Sequence, residues 1–255
     1  MKTEAPLEGR KVFFLYPHSV MQEEMLDELV ISGYEVYVLR DHLRARRLIE
    51  RFPGSIMFIN IDEKLEEREW DTYIREIQGN QDINVSLGIF SYNTDRALME
   101  KYLMEIGVPC GYVQLKHGLQ DSTHIVDETL RVNEAKGRRK SFRAIVEEGS
   151  AALGYRGEAG QVQGKLLDIS SDGFALKVAA DGVQGITKDT KLKGARLKLG
   201  PAQVTADLAC LGSRPNNNAI WVFLFDTSNM SLETKRAIHH FIKESLQRYI
   251  DSLQV

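Results

Sequence analysis

The hydrophobic pattern of this chain changes its period once, near Lys136, and that change restricts the fold more than any single motif. Before it, short apolar runs at 11–16, 35–39, 55–61, 84–90 and 111–115 each precede a segment whose apolar residues fall at helical spacing. After it, short strand-like runs are separated by turn-rich stretches, and one long amphipathic segment closes the chain. A chain of 255 residues can bury two ordinary cores. The expected division is residues 1–132, a linker over 133–143, and a second domain over 144–255.

Five strand–helix repeats in the first part demand a parallel sheet covered on both faces, an α/β arrangement. Ser19 with Gln22 three residues on predicts a capping box at the first helix, and Gly33 is placed to stop it. Val20, Met21, Leu26, Leu29 and Val30 share one face. The second helix runs from Asp41 to Phe52, and the third carries Trp70, Tyr73, Ile74 and Ile77 before Gly79. The fourth spans Thr94 to Ile106, with Leu98, Met99, Tyr102, Leu103 and Ile106 expected inward. A fifth starts near Asp121 and contains Ile125, Val126 and Leu130.

This alternation resembles the response-regulator receiver fold, which implies the strand order 2-1-3-4-5. Intact members hold magnesium on acidic residues after the first strand, but here that strand ends Tyr16-Pro17-His18. Asn60 stands where the phosphate-accepting aspartate belongs, and Asp62 would serve only with a shifted strand. Ser91 and Lys116 match the hydroxyl and lysine positions, whereas His117 replaces the usual proline. Magnesium-assisted phosphoryl transfer needs hard oxygen ligands that are missing here. The resemblance therefore implies a pseudo-receiver over about residues 10–132, serving interaction rather than phosphotransfer.

In the second part, strands are expected at 141–148, 161–168, 173–179, 195–199, 202–212 and 219–226. Many short strands without helices between them suggest an antiparallel barrel or sandwich. The final helix, from about Ser231, aligns Ile238, Phe241, Ile242, Leu246, Tyr249, Ile250 and Leu253, a stripe expected to pack within the chain.

With 33 basic and 36 acidic residues, the chain lacks the overall charge of a general nucleic-acid or membrane binder. Positive charge is instead concentrated locally in Gly137-Arg138-Arg139-Lys140-Ser141-Phe142-Arg143. Cys110 and Cys210 lie in apolar runs, which fits buried thiols in a reducing compartment. Val12–Tyr16 before Pro17 is too short for a signal core or a membrane span, so a cytoplasmic location is expected. The six histidines lack metal-ligand spacing, and Gly157, Gly160 and Gly164 look like a loose phosphate loop without the lysine and helix it requires. No nucleophile–base pair or metal site supports an enzyme, and no cofactor is implied.

Two short elements stand at opposite ends of the first barrel segment: Arg139 with Arg143, and Asp168-x-Ser170-x-x-Gly173. Together they resemble the R-x-x-x-R and D-x-S-x-x-G signatures of the PilZ family. That resemblance covers about 137–255 and implies a six-stranded barrel that binds cyclic di-GMP, a dianion with two guanines. The residue chemistry agrees. A guanidinium matches the O6/N7 edge of guanine or pairs with phosphate. Asp168 suits the N1–H and N2–H donors, and Ser170 donates or accepts. Gly173 permits a turn with positive φ or a close backbone approach. Arg138 would stack on a second ligand, giving two cyclic di-GMP molecules per site, or else only add local charge. The resemblance further implies a protein partner, plausibly in motility, chemotaxis or biofilm control. The competing readings are a nucleotide-independent adaptor, in which the Asp168 motif is an ordinary Asx turn and the arginines a basic linker, and a phosphorelay regulator binding nucleic acid.

Overall fold

The computed structural model describes residues 9–137 and 141–255, apart from a few side chains inside helices and strands. Arg138 and Arg139 lie outside the described residues. The chain divides into two compact units, residues 1–142 with 252–255, and residues 143–251.

The first unit contains strands β1 (Lys11–Leu15), β2 (Glu35–Leu39), β3 (Ser55–Asn60), β4 (Val85–Ser91) and β5 (Tyr112–Gln114). They form one parallel sheet, as the alternation of strands and helices predicts, in the order β2-β1-β3-β4-β5 that the receiver resemblance implies. Helices α1 (Ser19–Ile31), α2 (His42–Arg51), α3 (Glu67–Gly79), α4 (Arg96–Glu100) and α5 (Leu119–Val132) connect and follow the strands. All six residues of β3 are buried, and so are Val12–Leu15 of β1, the burial expected of strands covered on both faces. Phe14, Phe58 and Phe90 stack across three neighbouring strands, with successive ring centroids 5.6 and 5.0 Å apart. Gly88 sits opposite Phe58 in the register, and a Cβ there would meet that ring at 2.6 Å. The aromatic row therefore depends on a glycine in the neighbouring strand.

Helix ends follow local chemistry, with two corrections. Asp41 caps α2 by accepting from the Arg44 amide at 2.9 Å. Glu66 and Glu69 form a capping box on α3. The Ser19–Gln22 box does not form, because Ser19 is already helical and His18 occupies the cap without a side-chain bond. Gly33, at φ +89°, does end that helix. In the fourth helical segment, α4 passes into a π-helical stretch over Lys101–Ile106 that ends at Gly107 with φ +72°. The wider turn breaks the expected inward face. Tyr102 is buried, whereas Leu98, Met99 and Ile106 are half-buried and Leu103 is exposed.

The second unit holds β6 (Ala144–Ile145), β7 (Ala151–Gly157), β8 (Gly160–Ile169), β9 (Gly173–Gln184), β10 (Lys191–Leu199), β11 (Ala202–Arg214), β12 (Asn217–Phe225) and helix α6 (Leu232–Ser252). Six of these strands close a ring, β8-β7-β10-β11-β12-β9, sealed by pairing of β9 back onto β8, while short β6 adds to β8. Every pairing is antiparallel. Leu153, Val162, Leu166, Leu176, Leu197, Leu208 and Phe223 fill the interior. Leu192 and Ala195 both point inward although three residues apart, because a bulge intervenes. Gly194 sits in that bulge at φ +68°, its amide donating to Asp207 at 2.8 Å.

One strand expectation for this unit needs correction. The strand expected over 141–148 shrinks to Ala144–Ile145, and the missing barrel strand is β7. Gly157 and Gly160 belong to the tight β7–β8 hairpin rather than to a phosphate loop. On α6, Ile238, Phe241, Ile242, Leu246 and Ile250 are buried as expected, with Phe241 against the turn at Gly200. Both cysteines are free and buried, and burial pushes the Cys110 thiol up to about 11.

Candidate ligand-binding site

The end of β8 gathers the site. Ile145 pairs with Asp168 and Ala144 with Ile169, so short β6 carries the preceding residue, Arg143, to the same strand end. The Arg143 guanidinium approaches one Asp168 oxygen at 3.4 Å, and the Arg214 guanidinium donates to the other at 3.1 Å. The Asp168 side chain is 19% exposed, against 44% for Arg143 and 40% for Arg214. The carboxylate is therefore sheltered, while both cations keep much of their surface in water.

Arg214 is a partner of Asp168 that the linear pattern does not reveal. The run Arg214-Pro215-Asn216-Asn217-Asn218 reads as a turn, yet β11 continues through Arg214, which pairs with Asn217. The pairing of β11 with β12 is irregular between Cys210 and Gly212 and again between Ser213 and Arg214, just before the turn. Continuing the alternation of β11 through Arg214, rather than ending the strand at 212, would have been the available signal.

Ser170 and Gly173 close the turn between β8 and β9. The Ser170 amide donates to the Gly173 carbonyl at 2.8 Å, and the Ser170 hydroxyl accepts from the Gly173 amide at 3.3 Å. That hydroxyl also lies 3.1 Å from the Gly173 carbonyl, and Ser170 is 7% exposed. Gly173 does not adopt positive φ. Its missing side chain serves close approach instead, since a Cβ would lie 2.2 Å from the Phe223 carbonyl oxygen of β12. The turn motif thus fixes the strand end from which Asp168 projects.

The electrostatics follow from composition. Two guanidiniums and one carboxylate leave one net positive charge, and each guanidinium has donors that Asp168 does not use. Such a cluster suits an anion that also offers a flat hydrogen-bonding edge.

The equivalent end of the first unit is arranged differently. β3 ends at Asn60, whose amide donates to the Tyr16 carbonyl at 3.1 Å, so the strand is not shifted to bring Asp62 into line. Asp62 instead accepts from the Ser91 hydroxyl and the Tyr92 amide, each at 2.6 Å. Lys116 is exposed and makes no ion pair among the described residues.

No family model and no curated protein sequence matches this chain. Solved structures do match it. They include a K. pneumonia MrkH–c-di-GMP complex at 21% identity and TM-score 0.35, covering 42% of this chain and 52% of that one. The PilZ domain of Escherichia coli YcgR with c-di-GMP matches at 16% identity and TM-score 0.36, covering 46% of this chain and 99% of that one. The Bacillus subtilis inhibitor of motility MotI/DgrA matches at 15% identity and TM-score 0.33, covering 46% and 53%. The chain spans about half the length of the MrkH structure it matches.

Proposed function

We propose that the protein is a non-enzymatic receptor for cyclic di-GMP, bound by the barrel at the end of β8. The observation that carries this reading is the Arg143–Asp168–Arg214 cluster, set beside the turn closed by Ser170 and Gly173. The arginines address the O6/N7 edge of guanine and the phosphodiester oxygens. Asp168 cannot serve phosphate, because like charges repel, and accepts from guanine N1–H and N2–H. Ser170 and Gly173 hold the turn that presents it. Arg139 completes the R-x-x-x-R element, and Arg138 stacks on a base of a second bound molecule.

The arginine-bearing segment 133–143 joins two folded parts, so ligand occupancy there alters their arrangement and exposes a changed surface to a protein partner. The receiver-like unit supplies partner recognition. Motility control is the proposed setting.

Calorimetric titration with cyclic di-GMP, with GMP as control ligand, tests the receptor reading. Arg143→Ala should weaken binding by about 1–3 kcal/mol, the worth of a bidentate arginine–guanine contact. Two ligands per chain in wild type, falling to one in Arg138→Ala, would support the stacking role. Absence of heat at high ligand concentration would refute the receptor. Identical small-angle scattering profiles with and without ligand would refute the rearrangement.

A further inference from the structure

The outer face of the barrel carries a second cationic feature that shares no residue with the Asp168 cluster. It is an open groove of about 1830 Å³ over β7 and its neighbours. Strand register builds it. On β7 the outward positions are Ala152, Gly154 and Arg156; Ala152 and Gly154 face Lys198 and Arg196 on β10 and Lys165 and Gln163 on β8, and Arg156 at the hairpin end donates to Gln161. A Cβ on Gly154 would meet nothing within 4 Å, so the floor is open between Ala152 and Gly154. The flanking strands lie one spacing away on each side, which puts the walls about 10 Å apart at the backbone. Lys177 on β9 extends the row beyond Lys165.

The groove is lined by seven lysines and arginines against three acids, Glu148, Glu158 and Asp181, so its charge is net positive. Lys177, Arg196 and Lys198 are exposed and make no ion pair among the described residues. Lys165 reaches Glu148 at 3.5 Å, but that glutamate is itself 85% exposed. Like-charged side chains aligned across neighbouring strands repel one another, so the bare sheet gains nothing from this arrangement.

We infer that this groove is a docking surface for an extended acidic polypeptide segment of a partner protein. Arg196 and Lys198 stand two residues apart on one strand, a repeat of about 6.6–6.8 Å. An extended acidic chain presents same-side carboxylates at that same repeat, while its backbone lies over the Ala152–Gly154 floor. Other polyanions fit less well. Single-stranded nucleic acid needs exposed aromatic platforms, and the aromatic along the groove, Tyr155, is half-buried with its ring over Gly157. The large exposed apolar residues of the second unit lie elsewhere, so an anionic membrane finds nothing here to insert.

The test is fluorescence anisotropy on the full chain with a fluorescein-labelled peptide alternating glutamate and serine. Wild type should bind at low salt and release the peptide as salt rises. R196E/K198E should lose roughly tenfold or more in affinity, and the neutral R196Q/K198Q less. K188E/R236E, which reverses two charges outside the groove, should bind as wild type does. Matching thermal melts would establish that the variants fold. Lack of peptide binding by wild type, equal loss in both charge-reversed variants, or tighter binding of oligothymidylate, duplex DNA or anionic vesicles would overturn the inference. Cyclic di-GMP titration of R196E/K198E keeps the two readings separate, since failure of the peptide site leaves the nucleotide site unaffected.

Discussion

Two aspartates near strand ends, Asp62 and Asp168, contrast the two units. Asp62 takes a hydroxyl and a backbone amide from its own unit, both neutral donors. Asp168 takes two guanidiniums, each partly in water and with donors to spare. Neutral local donors hold a carboxylate but bring no positive charge with which to recruit an anion. Cationic partners hold the carboxylate while remaining able to recruit an anion. Residue type alone does not distinguish these cases; the charge and exposure of the partners do.

That contrast can be broken by experiment, beginning with the largest effect. Trp70 is fully buried and its indole N–H donates to the Glu63 carbonyl at 3.1 Å. Trp70→Ala should cost the first unit about 3–5 kcal/mol. Trp221 then remains as the fluorescent reporter of the barrel, and denaturant titration should find its transition nearly unmoved. A large shift there would mean the units do not unfold separately.

Gly173→Ala comes next, at about 1–3 kcal/mol of barrel stability, because the new methyl must displace β12. Urea unfolding followed at Trp221 measures it. Arg214→Ala should leave the fold intact and weaken cyclic di-GMP binding by about 1–3 kcal/mol. Unchanged affinity by calorimetry would remove Arg214 from the proposed site.

Ser91→Ala sharpens the other side of the comparison. Loss of the buried hydroxyl should cost about 1 kcal/mol in the first unit and nothing in ligand affinity. The smallest effect is kinetic. Burial raises the Cys110 thiol to about 11, so at pH 8 little thiolate is available, and iodoacetamide should label native protein far more slowly than unfolded protein. Raising the pH toward 11 should speed native labelling.

Much of the fold was legible because burial dictates periodicity. The five strands of the parallel sheet emerge from apolar runs such as Ile56–Ile59, and their order is the one that the resemblance to the receiver fold implies. The antiparallel barrel emerges from alternation such as Ala195–Leu199, and α6 from its apolar stripe. What stayed hidden has physical causes. β7 is Ala-Ala-Leu-Gly-Tyr-Arg-Gly, with small residues where its outer face needs no contact, so it carries almost no strand signal. The π-helical turn at Lys101–Ile106 rotates the apolar face in a way no fixed period anticipates. In the candidate site, Arg143, Asp168, Ser170 and Gly173 stand in the two short elements that resemble the family signatures, whereas Arg214 comes to Asp168 across 46 residues, through a bulged strand.

The seam between β8 and β9 has a consequence for cooperativity. A strand that pairs on both sides cannot fray alone, because releasing it opens the whole ring. Asp168 stands on that strand, so its amide neighbours should exchange their hydrogens only when the barrel unfolds globally. Protection factors along β8 would then report barrel stability itself, and a ligand held at its end should slow exchange around the entire ring rather than at one loop.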